Sequence, residues 1–277
     1  MKRRKIAYGE HPSQYGHLYL PDRERASGRA PLVVLVHGGS WSAEFALVVY
    51  SAVARDLVAR GAVVWNVEYR RLGDGGTGGD GPAHSVPGGG DVSPAHSVPG
   101  GGWPQTGRDV VAALRALDGP VAGELAVAGI AVDRQHVSVV GHSAGGQLAT
   151  WAVAQLGART DGHRITTVVP QSAVLDLTVD GARDKESVTA FLGASYRQAP
   201  RRYTEASPAH APVTDARLHV VHTTDDRAVP LAMSEHYVAV MTERGQSAML
   251  TEVPGEHACF VNPKTPAHRA TLRALGL

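Results

Sequence analysis

Six short runs of apolar, largely β-branched residues punctuate the chain: Leu32 to Val36, Ala62 to Val67, His136 to Val140, Ile165 to Val169, Leu218 to His222 and Ala248 to Val253. They are nearly continuous in apolar character rather than alternating, which is the pattern of strands covered on both faces by helices. A weaker run from His17 to Leu20 is expected to be an antiparallel edge strand. Helical patterns lie between the runs. Glu44 to Arg60 stops at Gly61, Thr106 to Leu117 stops before Gly119, and Leu231 to Arg244 stops at Gly245. Thr265-Pro266 opens a last helix with a cap residue followed by proline in the first turn. Alternating strands and helices predict an α/β domain with a mostly parallel sheet flanked on both faces.

One junction is unusually abrupt. A helix predicted over Ser143 to Leu156 begins almost directly after the His136 to Val140 strand, through Gly141-His142-Ser143-Ala144-Gly145. A G-x-S-x-G run between strand and helix is the context of a nucleophile elbow, in which the serine occupies a strained bend and its glycine neighbours let strand and helix approach. The serine oxygen then sits at a helix N-terminus, where free N–H groups and the helix dipole favour developing negative charge. A second glycine pair, in His37-Gly38-Gly39-Ser40-Trp41, follows the Leu32 to Val36 strand. Its amides can turn inward and, with the Ala144 N–H, form an oxyanion hole. Gly39 and Ser40 are the expected donors and Gly38 a further candidate, while His37 is expected to hold the loop by hydrogen bonds.

A serine needs a base, and the base needs an orienting carboxylate. Of the 14 histidines, His257 is the best placed, after the final strand and the Pro254-Gly255 turn. Asp226, past the Leu218 to His222 strand, is the leading acid, with Asp225 as its adjacent rival and Asp176 as a third choice. The order Ser143, Asp226, His257 suits a parallel α/β scaffold.

Two regions interrupt the alternation. Residues 73–102 are rich in glycine and proline, and Pro82 to Gly90 recurs as Pro94 to Gly102. That composition predicts a mobile loop. His84 and His96 repeat with it, yet no cysteine or carboxylate array accompanies them, so no metal site is expected. Residues 176–212 carry charged and aromatic side chains and are expected to form a small helical cap. Ligands of open α/β sheets bind beyond the carboxyl ends of the strands. Both regions are therefore expected to flank a pocket with Trp41 and Trp103 as apolar walls and His142 as a further pocket residue.

Composition narrows the classes. A formal net charge of +1 gives no field for nucleic acid or an acidic membrane surface, and no run approaches the roughly 20 apolar residues of a membrane span. The basic cluster Lys2, Arg3, Arg4 and Lys5 lacks the apolar run of a secretory signal and is expected to be a solvated end. A single cysteine, Cys259, excludes an intrachain disulfide and fits a reducing, cytoplasmic setting.

With these pieces in view, the chain resembles the α/β-hydrolase superfamily, nearest to the small esterase and kynurenine formamidase-like group. The residues that carry the resemblance are His37 to Trp41, Val67-Glu68-Tyr69-Arg70-Arg71, Gly102-Trp103-Pro104, Gly141 to Ala149, Asp226 to Pro230 and His257. They span about residue 30 to 262. The resemblance implies one α/β-hydrolase domain over 1–277 with about eight strands, no cofactor, and the Ser143–Asp226–His257 triad. Two positions depart from the group: Thr223 stands where glycine is usual, and Ala258-Cys259-Phe260 follows His257 where an aromatic usually comes directly. The expected activity is hydrolysis of small carboxylic esters. Alternatives are arylformamidase action on N-formylkynurenine, acyl transfer or thioester hydrolysis on a biosynthetic intermediate, and a non-catalytic binding module. The expected partner is a small-molecule ester or amide, and the expected assembly a monomer or homodimer.

Overall fold

The computed structural model describes residues 1–22, 28–74 and 100–277. Residues 75–99 of the duplicated run, with His84 and His96, lie outside the described residues. Eight strands form one sheet: β1 (Lys2–Ala7), β2 (Tyr15–Leu20), β3 (Leu32–Val36), β4 (Val63–Val67), β5 (Val137–His142), β6 (Ile165–Gln171), β7 (Arg217–Thr223) and β8 (Ala248–Val253). Their order is β1-β2-β4-β3-β5-β6-β7-β8, with β1 and β2 antiparallel and all pairings from β4 to β8 parallel. The mostly parallel sheet is the one the alternation predicts, and its eight strands form the α/β-hydrolase architecture that the resemblance implies.

Every residue of β3, β4 and β5 is buried, because helices cover both faces. The period of two along a strand divides the core. Leu32, Val34 and Val36 face one apolar layer with Leu114, Leu148 and Tyr237, and Val33 and Leu35 face the other with Leu57, Phe260 and Leu272. The first layer is supplied by α2 (Gln105–Arg115), α3 (Pro120–Ala128), α4 (Ala144–Gln155) and α7 (Leu231–Glu243). The second is supplied by α1 (Ser51–Ala59) and α8 (Pro266–Leu275). Between β6 and β7, within the region expected to be a cap, lie the short helices α5 (Glu186–Leu192) and α6 (Pro200–Ala206).

The structure corrects several expectations. Lys2 to Lys5 are exposed, but they belong to an edge strand rather than to a loose end, and this leaves β2 as the second strand. Backbone pairing to β2 supplies the order, and a row of cations on an outer strand discourages further strands from adding there. The helix expected from Glu44 begins only at Ser51, after a 3-10 turn over Leu47–Tyr50. The Leu47 amide is taken by Glu68 Oε2 at 2.9 Å and its carbonyl also accepts Asn66 Nδ2 at 2.8 Å, so side chains of the neighbouring strand fix this turn before the α-helix starts. Helix α3 was not expected, since its run of small and apolar residues shows little amphipathic period. Pro120 starts it and Gly129, in the left-handed region, ends it.

Two glycine substitutions should move stability in opposite directions. A Cβ on Gly145 would meet the His37 carbonyl oxygen at 2.1 Å, so Gly145→Ala should cost about 3 kcal/mol in urea unfolding. Gly123 lies in α3 with nothing within 4 Å of its added Cβ, so Gly123→Ala should gain about 0.5–1 kcal/mol.

Candidate active site

Ser143 stands between β5 and α4 with φ 52° and ψ −122°, a conformation costly for a residue with a Cβ. The bend holds because its neighbours leave no alternative. A Cβ on Gly141 would lie 2.3 Å from the Gly145 carbonyl oxygen, and one on Gly146 would lie 2.5 Å from Ala173 Cβ. The Ser143 amide donates to the Gln171 carbonyl at 2.9 Å, and its carbonyl receives the amides of Gly146 and Gln147. Its hydroxyl has no hydrogen-bond partner among the described residues and faces a cavity of about 370 Å³.

His257 lines the same cavity, and its Nδ1 donates to Asp226 Oδ2 at 2.7 Å. The other oxygen, Oδ1, accepts the amides of Ala228 at 2.9 Å and Val229 at 2.8 Å. The Thr223 hydroxyl donates to Oδ2 at 3.4 Å, so the threonine that replaces glycine adds a contact to the acid. Burial works to raise the Asp226 carboxyl, but the hydrogen bonds from His257, Val229 and Ser172 and the His257 charge outweigh it, leaving the group well below the usual carboxylate range. The rival acids point elsewhere. Asp225 is exposed and accepts the Gly255 amide at 3.3 Å, while its own amide donates to the Gly255 carbonyl at 3.0 Å. Asp176 accepts the amide and hydroxyl of Thr178 and approaches His236 Nε2 at 3.2 Å.

The loop after β3 carries positive φ at three successive residues, Gly39 (119°), Ser40 (51°) and Trp41 (59°). Among the described residues no hydrogen bond uses the amides of Gly39, Ser40 or Ala144, which leaves them free beside Ser143. Gly38 approaches closely as well, since a Cβ there would lie 3.1 Å from Ser143 Cβ. Underneath, His37 meets Glu68 Oε1 through Nε2 at 2.7 Å and the Gly38 carbonyl through Nδ1 at 2.8 Å. The ring stacks on Tyr69, whose hydroxyl donates to the His37 carbonyl at 2.7 Å. Burial would raise the Glu68 carboxyl, but the His37 hydrogen bond, the charges of His37 and Arg71 and the Leu47 amide together hold it below its ordinary value. The sequence marks Glu68 as an acid directly after an apolar strand, within the Val67 to Arg71 run that carries the resemblance, and its role under the loop emerges from the fold.

His142 lines the cavity and is also a tie. Its Nε2 lies 2.9 Å from the His257 carbonyl, and its ring packs against Phe260 at a centroid distance of 5.4 Å. Burial, with the neighbouring His257 charge, lowers its pKa to about 3, so the ring is neutral and Nε2–H donates to that carbonyl. Of the two tryptophans, Trp41 borders the cavity, stacks on Phe191 at 4.3 Å and donates to Gln147 Oε1 at 3.0 Å. Trp103 does not line it. Trp103 stands behind Phe191, edge-on to Trp151, one aromatic layer away. Lys185, at the N-cap of α5, and Ser187 and Val188 in its first turn also line the cavity, and no local sequence signal singles them out. Among the described residues no group of three or more His, Cys, Asp or Glu side chains is disposed to hold a metal ion, and no helix is long and apolar enough to cross a membrane.

Comparison with known proteins is consistent with this geometry. The profile of the prolyl oligopeptidase family matches residues 120–273, more than half of the chain and the stretch that carries Ser143, Asp226 and His257. The chain belongs to the prolyl oligopeptidase family. No curated protein matches it by sequence. Solved structures similar to this family member include a carbohydrate esterase from gut microbiota, with a TM-score of 0.75 at 18% identity over 100% of this chain and 95% of that one. A thermophilic esterase of Thermogutta terrifontis gives 0.67 at 19% identity over 98% and 89% of the two chains. Carboxyl esterase 2 of Tuber melanosporum gives 0.67 at 20% over 99% and 85%. At these identities the likeness is one of fold. Family and fold together make this prolyl oligopeptidase relative a hydrolase.

The neutral His142 has a consequence for acid stability. An unfolded histidine takes up its proton near pH 6.5, whereas this ring resists until about 3, so between those values acid favours the unfolded chain. Stability should fall with decreasing pH below 6.5, with a contribution of up to about 1.4 kcal/mol per pH unit from this one ring. Urea unfolding from pH 4 to 8 should show a shallower slope in His142→Asn.

Proposed function

We propose that the chain is a serine hydrolase that cleaves small carboxylic esters through an acyl-enzyme on Ser143. The observation that carries the reading is the 2.7 Å contact from His257 Nδ1 to a buried Asp226 carboxylate, with the His257 ring and Ser143 on the wall of one cavity. Held through Nδ1, the imidazole has Nε2 available to remove the Ser143 proton. In unliganded sites of this kind the nucleophile–base contact is often long and closes when substrate binds.

The steps follow from the positions. His257 Nε2 takes the hydroxyl proton as Ser143 Oγ bonds to the substrate carbonyl carbon. The carbonyl oxygen becomes an oxyanion beside the free amides of Ala144 and the Gly39–Ser40 loop, at the N-terminus of α4. Each such donor contributes about 3–4 kcal/mol to lowering the barrier. The C–O bond to the leaving group breaks as Nε2–H returns the proton to the departing alcohol. Water, losing its proton to the same nitrogen, then attacks the acyl carbon and frees the acid and Ser143. Asp226, kept ionised by its hydrogen bonds, stabilises the imidazolium in both halves. The cavity, bordered by Trp41, Phe45, Val174 and Val188, suits a short acyl or aryl group. The fold neighbours supporting an ester rather than a peptide substrate are themselves described as esterases.

Labelling with a fluorophosphonate probe should mark the native chain and not Ser143→Ala, which should keep its fold and lose turnover. Asp226→Asn should lower kcat by about 10³–10⁴, while Asp225→Asn should change it less than about tenfold. Parallel assays on p-nitrophenyl acetate, N-formylkynurenine and a prolyl p-nitroanilide should rank the ester first. A dominant rate on either of the others would reassign the substrate to the formamide or the peptide.

A further inference from the structure

The cavity above Ser143 does not end at the acyl chamber. A second chamber of about 320 Å³ adjoins it and shares Val174, Lys185 and Val229 with it. Lys185 thus stands at the junction of the two. It is half-buried, and its Nζ donates to the Ala228 carbonyl, in the same loop whose amides hold Asp226. An ammonium has three N–H donors, so that contact leaves two for a ligand.

The charges around Lys185 are matched among themselves. In the second chamber Asp180 is held by Arg183 at 2.5 Å, and His236 leans on Asp176 at 3.2 Å. Asp184 also lies near Arg183, at 3.6 Å. Among the described residues the other ionisable side chains on the wall of the first chamber are His142 and His257, which are engaged with the His257 carbonyl and with Asp226. Among the described residues Lys185 makes no ion pair. An uncompensated cation on an otherwise apolar wall is costly to desolvate unless a ligand supplies the opposite charge.

Resting on the serine-hydrolase reading, we propose that Lys185 is a specificity-determining residue that pairs with a carboxylate of the substrate. The preferred substrates are then anionic esters, with the scissile carbonyl at Ser143 and the charged group at the chamber junction. The carboxylate is carried either by the acyl group, as in a dicarboxylic half-ester, or by the leaving group, as in an ester of a hydroxy acid. Both place the same anion against the same ammonium.

Two substrate pairs separate these sources. On the acyl side the comparison is p-nitrophenyl hemisuccinate against p-nitrophenyl butyrate, and on the leaving-group side 4-acetoxybenzoate against its methyl ester. In the native enzyme the ratio of kcat/KM, anionic over neutral, should exceed one in one pair. It should fall about 10- to 100-fold in Lys185→Gln, as expected for a lost charge-assisted hydrogen bond, and recover in Lys185→Arg. Raising the ionic strength should lower the native ratio and leave the Lys185→Gln ratio unchanged. Ratios in both pairs that do not respond to Lys185→Gln would overturn the proposal while leaving ester hydrolysis intact. Calorimetric titration of Ser143→Ala with monomethyl succinate and with 4-acetoxybenzoate, each with and without Lys185→Gln, decides the matter independently of turnover. Binding of either ligand that is lost with the lysine supports the proposal, and binding of both that is absent or unchanged defeats it.

Discussion

At its tightest point the protein brings α4 against the end of β3. The carbonyl oxygens of Val36 and His37 lie where any side chain at position 145 would have to be. This approach does two things at once. It bends the chain at Ser143 into its positive-φ geometry, and it seats the Gly38–Gly39–Ser40 amides beside the same serine. The bend at Ser143 and the loop after β3 are therefore one packed object. A loosened contact would disturb both together.

Support from below is electrostatic. Glu68 closes β4 with a buried carboxylate that gathers His37, the Leu47 amide and Arg71. Burying a charge is tolerable only when its lone pairs are filled, and here the filling partners come from the loop after β3 and the entry to α1. The same carboxylate caps the first amide of the 3-10 turn that leads into α1. Asp226 follows the same rule on the far side of Ser143, with two amides on one oxygen and His257 on the other.

Much of this was legible in the residues because it is locally encoded. The elbow needs small neighbours within two positions, and unbroken β-branched runs need cover on both faces, so Gly141 to Gly145 and the central strands declare themselves. Features governed by distant partners did not. Lys2 to Lys5 carry no apolar pattern, and their strand exists through backbone bonds to β2. Sequence alone left Asp225 and Asp226 open as acids, since the loop after β7 must be folded before one turns inward and the other out. Trp103 was expected on the pocket wall, but Phe191, supplied by α5 some ninety positions later, intervenes. Lys185 has no motif at all, and only the cavity distinguishes it from other surface lysines.

Asp225 illustrates how a neighbour of a functional group can matter without touching its chemistry. Its amide and carboxylate clasp Gly255, and the Thr224 amide reaches the Val253 carbonyl at 2.9 Å, so the turns that follow β7 and β8 are laced to each other. β8 is the outer strand of the sheet on that side, with Met249 half in water. A margin of this kind would ordinarily flex on its own. The lacing ties the two turns into a single plate that carries Asp226 and His257 together, so the short spacing between carboxylate and imidazole does not rest on the edge strand alone.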